Sequence, residues 1–297
     1  MYRFIVYPVL LLMPLFCFSQ ADSAYVAPYP QKFMATGFVA NNLLMLTHGE
    51  KEYSPNSPLI VGAGFSIKNT IVSVRFSQGV ANLQGSEYGK TRITDFQLHN
   101  YGRKFITDVF IQNYRGFYNE GSAITLYPDL RIRQIGAEGS YLFNGGQFSA
   151  KAAFEQRERQ LLSAGSWVLG GGVYLLRLES GAAEPFIEGG RIDNLQFGAN
   201  GGYAYSWVVN EHWQLSGIAT AGLSLGHDLG SGDGASLKVY PTALARGAAS
   251  YSKNNWAVAF TTIINNRLLY ASGDEDYTIT SIGFQLSYVR HFDRLFK

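Results

Sequence analysis

The spacing of apolar residues constrains the fold of this chain more than any other feature. Beyond the first twenty or so residues, apolar residues alternate with small or polar ones in one segment after another. In 195–207, one face carries Leu195, Phe197, Ala199, Tyr203, Tyr205 and Trp207, and the other carries Gln196, Gly198, Asn200, Gly202, Ala204 and Ser206. Because successive side chains of a strand point to opposite faces, this pattern predicts strands with one apolar and one polar side. Its repetition predicts an all-β fold, a transmembrane antiparallel up-and-down β-barrel closed on itself, with lipid outside and water inside.

The start of the chain has the features of a cleaved export signal. Arg3 supplies a positive charge, residues 4–16 are largely apolar, and Cys17 and Ser19 place small residues at both positions that determine cleavage. The apolar stretch is shorter than the roughly 20 residues that a spanning helix needs. We therefore expect cleavage after Ser19 and export to the outer membrane of a Gram-negative cell.

Cleavage after residue 19 leaves a lead-in over 20–34 and a single barrel domain over 35–297. Cys17 is the only cysteine of the chain. An alternative is lipid attachment to Cys17, although the bulky Phe16 before it is unusual for such a site. Removal of the signal leaves no cysteine, which excludes disulfides, thiol catalysis and thiolate metal sites.

Composition agrees with a barrel and excludes other classes. The net charge is +2 and charged residues make up 15%, so neither a nucleic-acid surface nor an acidic disordered chain is expected. The 33 glycines and 14% aromatic residues fit strands that curve around a barrel and rings that lie at membrane interfaces. The mean hydropathy of −0.03 fits strands in which every second residue faces lipid.

The alternation places candidate strands near 35–46, 58–68, 70–78, 92–101, 104–115, 131–143, 147–155, 166–178, 194–209, 212–226, 237–251, 255–267 and 278–292. Their number is odd, whereas single-chain bacterial barrels have an even number of strands. Either one segment is not a wall strand, or a short strand near 184–190 has been missed. We predict about twelve strands, with about fourteen as the alternative.

The connections between these segments fall into two kinds, as the two rims of a barrel require. Short turns are predicted at 68–69, 101–103, 144–146, 210–211 and 252–254, and longer outer links at 47–57, 79–91, 116–130, 156–165, 179–193, 227–236 and 268–277. Aromatic residues flank three of the short turns: Trp207 with Trp213, Tyr251 with Trp256, and Tyr141 and Phe143 with Phe148. Rings repeated at one rim predict an aromatic girdle at a membrane interface.

Four stretches of the chain resemble a known family. They are YSPNSPLIVGAGFS (53–66), GKTRITDFQLHNYGR (89–103), DVFIQNYRGFY (108–118) and FEQRERQLLSAGS (154–166). The family is an uncharacterised domain of unknown function in exported, outer-membrane proteins of Gram-negative bacteria, and the resemblance covers most of the mature chain. It implies a fold and a location, and it implies no chemistry.

The densest polar group lies on the predicted hairpin 92–115. Asp95, Gln97 and His99 share one face of the first strand, and Asp108 and Gln112 point inward from the second. His99 as a base oriented by Asp95 is a pattern that some barrel lipases use. The sequence nominates no serine nucleophile and has no G-x-S-x-G turn, so we favour a polar network and predict that the protein is not an enzyme.

A second polar group is predicted inside the barrel, at Gln134, Glu138, Lys151 and Glu155, with Arg157 and Glu158 beside it. Mixed charges of this kind set the selectivity of an aqueous pore, or they neutralise one another in a plug. The sequence leaves both alternatives open.

Acidic residues in two predicted outer links are weak candidates for a metal site. Asp228 and Asp233 lie in one link and residues 274–276 in another, where carboxylates bind Ca²⁺ or bridge to lipopolysaccharide phosphates. Solvated acidic loops are the commoner case. The histidines have no zinc-site spacing, and no cofactor is expected.

These observations predict a non-enzymatic channel, binding or structural protein of the envelope. The alternatives are an enzyme acting on lipid or lipopolysaccharide and a subunit of a larger secretion or surface assembly. Expected partners are the bilayer and lipopolysaccharide, with periplasmic chaperones and the barrel-insertion machinery during biogenesis. The oligomeric state is left open.

Overall fold

A computed structural model of the chain describes residues 21–67, 73–181, 190–229, 237–270 and 276–294. The predicted signal, the turn at 68–69, the possible strand over most of 184–190 and Asp233 lie outside this part.

Strands make up nearly all of the described structure. They are β1 (Val26–Pro28), β2 (Phe33–His48), β3 (Lys51–Tyr53), β4 (Pro58–Ile67), β5 (Ser73–Asn82), β6 (Arg92–Tyr101), β7 (Phe105–Glu120), β8 (Ile124–Leu142), β9 (Glu158–Gln160), β10 (Ala164–Glu179), β11 (Arg191–Val208), β12 (Trp213–Asp228), β13 (Lys238–Lys253), β14 (Trp256–Tyr270) and β15 (Asp276–Phe292). A short helix, α1 (Ala150–Phe154), precedes β9, and a 3₁₀ turn (Ser86–Tyr88) precedes β6. No helix in the described ranges has the length and hydropathy to cross a bilayer.

Twelve long strands form one curled antiparallel sheet, which confirms the predicted fold class and strand number. The strand order is β5-β4-β2-β15-β14-β13-β12-β11-β10-β8-β7-β6, and β3 adds to β2. Short turns join β6 to β7, β11 to β12 and β13 to β14 at one rim, which we call the near rim. The opposite rim, where β7 turns into β8, is the far rim.

The odd count is explained by 147–155, which is not a wall strand. The Ser149 side chain accepts a hydrogen bond from the Ala152 N–H and caps α1 (3.1 Å). Ala150, Ala152, Ala153 and Phe154 are all buried, so this helix is apolar on several sides. Because such a helix accepts apolar residues at every second position, the alternation in 147–155 is equally compatible with a strand and with a buried helix. The predicted strand at 147–155 is therefore wrong.

Two predicted outer links are also wrong. Residues 116–130 form the far ends of β7 and β8, which continue past a bulge between Arg115 and Phe117. Gly116 has a φ of 90° there, a conformation that favours glycine, and the shift in register disrupts the alternation on which the prediction relied. Residues 156–165 lie at the near rim and contain β9, which pairs with β1.

The outer face of the sheet is apolar and exposed, as contact with lipid requires. Phe96 is 55% exposed and Trp207 53%, and both point outward. Near the near rim, Trp213, Tyr251, Trp256 and Tyr288 form a row of ring contacts across four neighbouring strands. Phe148, which was predicted to belong to this girdle, is instead completely buried inside the barrel.

The interior of the barrel is filled in three layers. The near layer is apolar and includes the plug, our name for α1, β9 and β1; its buried residues are Tyr101, Ile106, Leu142, Phe148, Ala150, Ala153, Phe154, Val168, Ala204, Ile218 and Ala248. The far layer is apolar as well, with Leu44, Leu46, Tyr53, Tyr114, Phe117, Leu130, Ile132, Leu176, Leu178, Ile192, Leu269, Tyr277 and Ile279. A polar layer lies between them.

The sheet has a seam between its two edge strands. Within the described residues no strand pairing joins β5 to β6, so the predicted cylinder lacks one ladder. Asn56 holds the connection between these two strands: its side chain donates to the carbonyl oxygens of Gly85 and Gly89 and accepts a hydrogen bond from the Gln84 N–H. The connection between β5 and β6 therefore wraps around Asn56 and does not form a tight hairpin. At the far rim, Ser54 and Tyr118 bridge the sheet backbone to backbone.

We expect Gly202→Ala to lower the free energy of unfolding by about 1–3 kcal/mol. A Cβ at position 202 would overlap the backbone of Ala219 on the neighbouring strand β12. Gly139→Ala is the matched control, because nothing lies within 4 Å of its added Cβ. Urea unfolding from lipid vesicles, followed by tryptophan fluorescence, measures both variants. Equal stability of the two would contradict the close packing of β11 against β12.

Candidate functional site

The polar layer brings three carboxylates and two arginines into the interior of the barrel. Asp108 is its best-connected member. Its Oδ2 accepts a hydrogen bond from Arg246 on the opposite wall (2.5 Å), and its Oδ1 lies 2.6 Å from Nδ1 of His99. Arg246 also donates to the hydroxyl of Tyr101 (3.0 Å). Both members of the ion pair are almost fully buried, so the pair crosses the lumen away from bulk water.

A second pair crosses the lumen beside the first. Glu138 lies 3.6 Å from Arg267 and accepts hydrogen bonds from Tyr174 (2.9 Å) and Asn200 (3.0 Å). The guanidinium of Arg267 stacks 3.2 Å over the ring of Tyr174. Stacking leaves Nε and Nη1 of this arginine without a hydrogen-bond partner in the described structure. Bridging water is the usual partner for such groups.

Asp95 has a different environment from the other two carboxylates. Its oxygens accept hydrogen bonds from Tyr114 (2.7 Å), Gln97 (3.0 Å), Gln112 (3.1 Å) and Asn42 (3.2 Å), all of them neutral donors. No cation contacts Asp95 among the described side chains. The three carboxylates of the layer thus outnumber its arginines by one.

The structure changes the partner assigned to His99. Sequence reasoning paired His99 with Asp95 on the same strand, whereas His99 and Asp108 are directly opposite each other on β6 and β7. Asp95 is held by amides and a phenol instead. Among the described residues of this layer, only the contact between His99 and Asp108 resembles an oriented base. Nε2 of His99 has no partner among them.

The second predicted group divides between wall and plug. Gln134 donates to Gln112, and both side chains are buried in the polar layer. Lys151 and Glu155, predicted to lie on a wall strand, belong to α1 and its C-terminal cap. The predicted wall residues contact one another between the neighbouring strands β6, β7 and β8, and those in the plug do not join them.

The plug is anchored by its own polar contacts. Glu158 accepts hydrogen bonds from Arg103 and from Ser149, each at 2.6 Å. Nε2 of His291 lies 2.9 Å from the carbonyl oxygen of Gln156, and the ring of His291 stacks on Tyr29 at 3.7 Å. Burial raises the pKa of the Tyr29 phenol, so this side chain stays neutral at physiological pH. Within the predicted lead-in, β1 therefore belongs to the plug, and residues 33–34 already form the start of wall strand β2.

A small cavity remains between β6–β8 and β13–β15. Its lining is polar on one side, at Gln97, His99 and Asp108, and partly apolar on the other, at Leu244 and Ile263. The inward residues of β6 are only half-buried beside the seam. Here the structure places the predicted site residues Gln97, His99 and Asp108 next to open space.

Sequence reasoning missed Arg246 and Arg267, the two cations of the polar layer. A signal was present for Arg246, because along its strand it is in phase with Thr242 and Ser250 and out of phase with Tyr251, a residue of the predicted girdle. For the metal candidates, Asp228 ends β12 and Asp233 lies outside the described residues. Within the described ranges no three potential ligands of the His, Cys, Asp or Glu type cluster together.

Fold and interior together define a transmembrane β-barrel whose lumen is filled in layers. The chain belongs to the family described as Domain of unknown function (DUF4421), whose sequence model matches residues 20–289. This confirms the resemblance to an uncharacterised barrel family. No curated protein matches the chain in sequence.

Several solved structures are similar in outline. A "Bacterial polysaccharide outer membrane secretin" aligns with a TM-score of 0.37 at 7% identity, covering 88% of this chain and 99% of its own. OmpT of Vibrio cholerae aligns at 0.31 and 8%, covering 91% and 99%. A Pseudomonas aeruginosa FadL homologue aligns at 0.30 and 11%, covering 88% and 90%. Scores this far below 0.5 carry no information about function.

We expect Arg246→Met to lower the free energy of unfolding by about 3–5 kcal/mol, because it leaves the buried charge of Asp108 without its cation. Combining it with Asp108→Asn removes the uncompensated charge and restores most of that loss. As a control, Arg115→Met at the exposed pair with Asp129 changes stability by less than about 1 kcal/mol. A double-mutant cycle in urea measures the coupling. A coupling near zero would show that the pair does not span the lumen.

Proposed function

We propose that the protein is a non-enzymatic outer-membrane barrel that does not conduct along its axis and has a binding or structural role in the envelope. The observation that carries this proposal is the filling of the lumen. An aqueous route would have to cross the plug, the polar layer with its two ion pairs, and the far apolar layer. Each contains side chains that are almost fully buried.

The charge distribution also supports closure over conduction. In an open pore, mixed charges line water and stay solvated. Here Arg246 and Asp108 are 4% and 6% exposed and contact each other directly. Of the two readings of the mixed charges, pore or plug, the geometry favours the plug.

Location and biogenesis belong to the same proposal. The apolar outer face and the aromatic row suit a bilayer, and a signal ending at Ser19 would deliver the chain to the envelope. Chaperones and the insertion machinery would then act on it before the sheet curls. Lipid and lipopolysaccharide would be its neighbours in the membrane.

Planar-bilayer recordings test the closed lumen. We expect no sustained conductance steps from wild-type protein, because no layer of the interior leaves a continuous water path. Insertion is verified in the same preparation by the heat-modifiable electrophoretic mobility of folded barrels. Ohmic steps at low voltage from fully folded protein would overturn the proposal and establish a channel.

The contact between His99 and Asp108 favours a second candidate, an enzyme acting on lipid or lipopolysaccharide. Nδ1 of His99 bound to a carboxylate leaves Nε2 directed away from that carboxylate, as a general base requires. The sequence nominates no nucleophile for it, so we rank this candidate below the closed barrel.

Lipid hydrolysis by wild type and His99→Ala separates the two candidates. We expect both proteins to release fatty acid at the rate of empty vesicles, with Gln97→Ala as a control from the same face of β6. Hydrolysis that wild type shows and His99→Ala loses, with the fold intact, would establish the enzyme.

A further inference from the structure

The outer wall carries a cluster of arginines close to the far rim that the proposed function does not use. Strand registers place them in two rows on the outward face. The upper row runs Arg92, Arg115, Arg131, Glu179 and Arg191 across β6, β7, β8, β10 and β11, and the lower row runs Thr94, Asn113, Arg133, Arg177 and Asp193 across the same strands. We call these two rows the arginine rows.

The rows contain more positive charge than the wall neutralises. Their six arginines face Glu179 and Asp193 within the rows and Asp129 beside them. Asp193 is shared by Arg177 and Arg191, and Glu179 lies 3.6 Å from Arg133 and 3.8 Å from Arg131. Each of these two carboxylates thus serves two guanidiniums, so cationic groups exceed anionic ones by three in this part of the described surface.

The arrangement costs stability in the absence of an anion. Arg92 is directly opposite Arg115, which is opposite Arg131, and Arg133 is opposite Arg177. Like charges placed directly opposite on neighbouring strands are destabilising. Nε of Arg133 is buried and has no hydrogen-bond partner in the described structure. An external anion would relieve the repulsion.

The height of the rows on the wall indicates which anion. The next outward row below them is entirely apolar: Phe96, Ile111, Ile135, Leu175 and Leu195 on the same five strands. Ile135 is 49% exposed and Ile111 45%, which places the edge of the lipid-facing surface there. The arginine rows therefore lie at the level of the lipid headgroups in the leaflet nearest the far rim.

The width of the rows favours a headgroup with several phosphates. Five strands at about 4.8 Å spacing span roughly 19 Å. A single phospholipid phosphate is bound bidentately by one or two arginines, whereas these rows present guanidiniums across the whole width. A diphosphorylated glycolipid of the lipid A type offers two separated phosphates on one apolar anchor.

We infer that the arginine rows bind the phosphates of a lipid A-type glycolipid through direct guanidinium contacts. The inference rests on the proposed outer-membrane location, with the far rim facing outward. The acyl chains of the glycolipid would lie on the apolar row from Phe96 to Leu195. This direct contact differs from binding at Asp228, which ends β12 beside the rows and would need a bridging divalent cation.

Binding of diphosphoryl lipid A to the folded protein in detergent, in the presence of EDTA, tests the inference. We expect Arg131→Gln/Arg133→Gln to weaken binding at least tenfold relative to wild type. Arg290→Gln is the matched control, since it removes an exposed arginine from the same wall at the opposite rim. Phosphatidylcholine is the lipid control and should bind equally weakly to all three proteins.

Thermal unfolding gives a second readout that does not depend on an affinity. Saturating lipid A should raise the Tm of wild type and of Arg290→Gln, and should raise that of the double variant much less. Without lipid A, the double variant should be at least as stable as wild type, because it loses like-charge repulsion.

Three results would overturn the inference: equal binding by the double variant, equal affinity for phosphatidylcholine, or binding that EDTA abolishes. The last would assign the glycolipid to bridged carboxylates. The conductance experiment is independent of all three, so a closed barrel that ignores lipid A refutes only this inference. A conducting barrel that binds lipid A refutes only the proposed function.

Discussion

Backbone hydrogen bonding in hydrocarbon is the constraint on which the rest of this structure depends. A peptide N–H or C=O that meets lipid without a partner costs several kcal/mol, so the chain has to pair nearly all of its groups in one continuous ladder. The twelve-stranded sheet, from edge strand β5 to edge strand β6, does so over eleven consecutive strand pairs. The seam between those edges is where this constraint is least satisfied. At the far rim, the backbone bridge between Ser54 and Tyr118 and the hydrogen bonds around Asn56 hold the two sides of the seam together where the strand ladder is missing.

The same constraint explains why the interior is layered. Because the backbone groups of the wall are already paired in the ladder, further stability of the barrel has to come from side chains that contact one another across the lumen. Apolar layers at both ends exclude water, and exclusion strengthens the attraction between Asp108 and Arg246 in the middle. It also makes any unpaired charge there expensive. Pairing across the lumen is thus both a consequence of closing the barrel and a reason for it to stay closed.

The sequence predicts those parts of the fold in which the period is long and undisturbed. From β10 to β15 the alternation runs over whole strands, and the predicted segments match the observed ones closely. The prediction fails where the alternation has another cause or is interrupted. Residues 147–155 alternate because a buried helix is apolar on several sides, and the pattern breaks after Arg115 because a bulge at Gly116 shifts the faces.

The candidate site was predictable in its members more than in its contacts. Asp95, Gln97, His99 and Asp108 all face inward, as the alternation requires. Which of them touch depends on the register of β6 against β7, and that register is set by the turn after Tyr101, whose geometry the residue types alone do not determine. The contacts of Arg246 and Arg267 on the opposite wall were harder to predict, because closure of the barrel brings together strands that are more than a hundred residues apart along the chain.

Arginine occurs on both faces of the wall, and the contrast between them is informative. Inside, Arg246 and Arg267 each meet a carboxylate, because a buried guanidinium cannot recruit an ion from solution. Outside, Arg115 and Arg131 face each other, with too few carboxylates to balance the rows around them. A wall under selection for stability alone would not place like charges on neighbouring strands beside its own apolar edge. The inferred contact with a phosphorylated headgroup would account for the surplus, because the surroundings would then supply the missing anions.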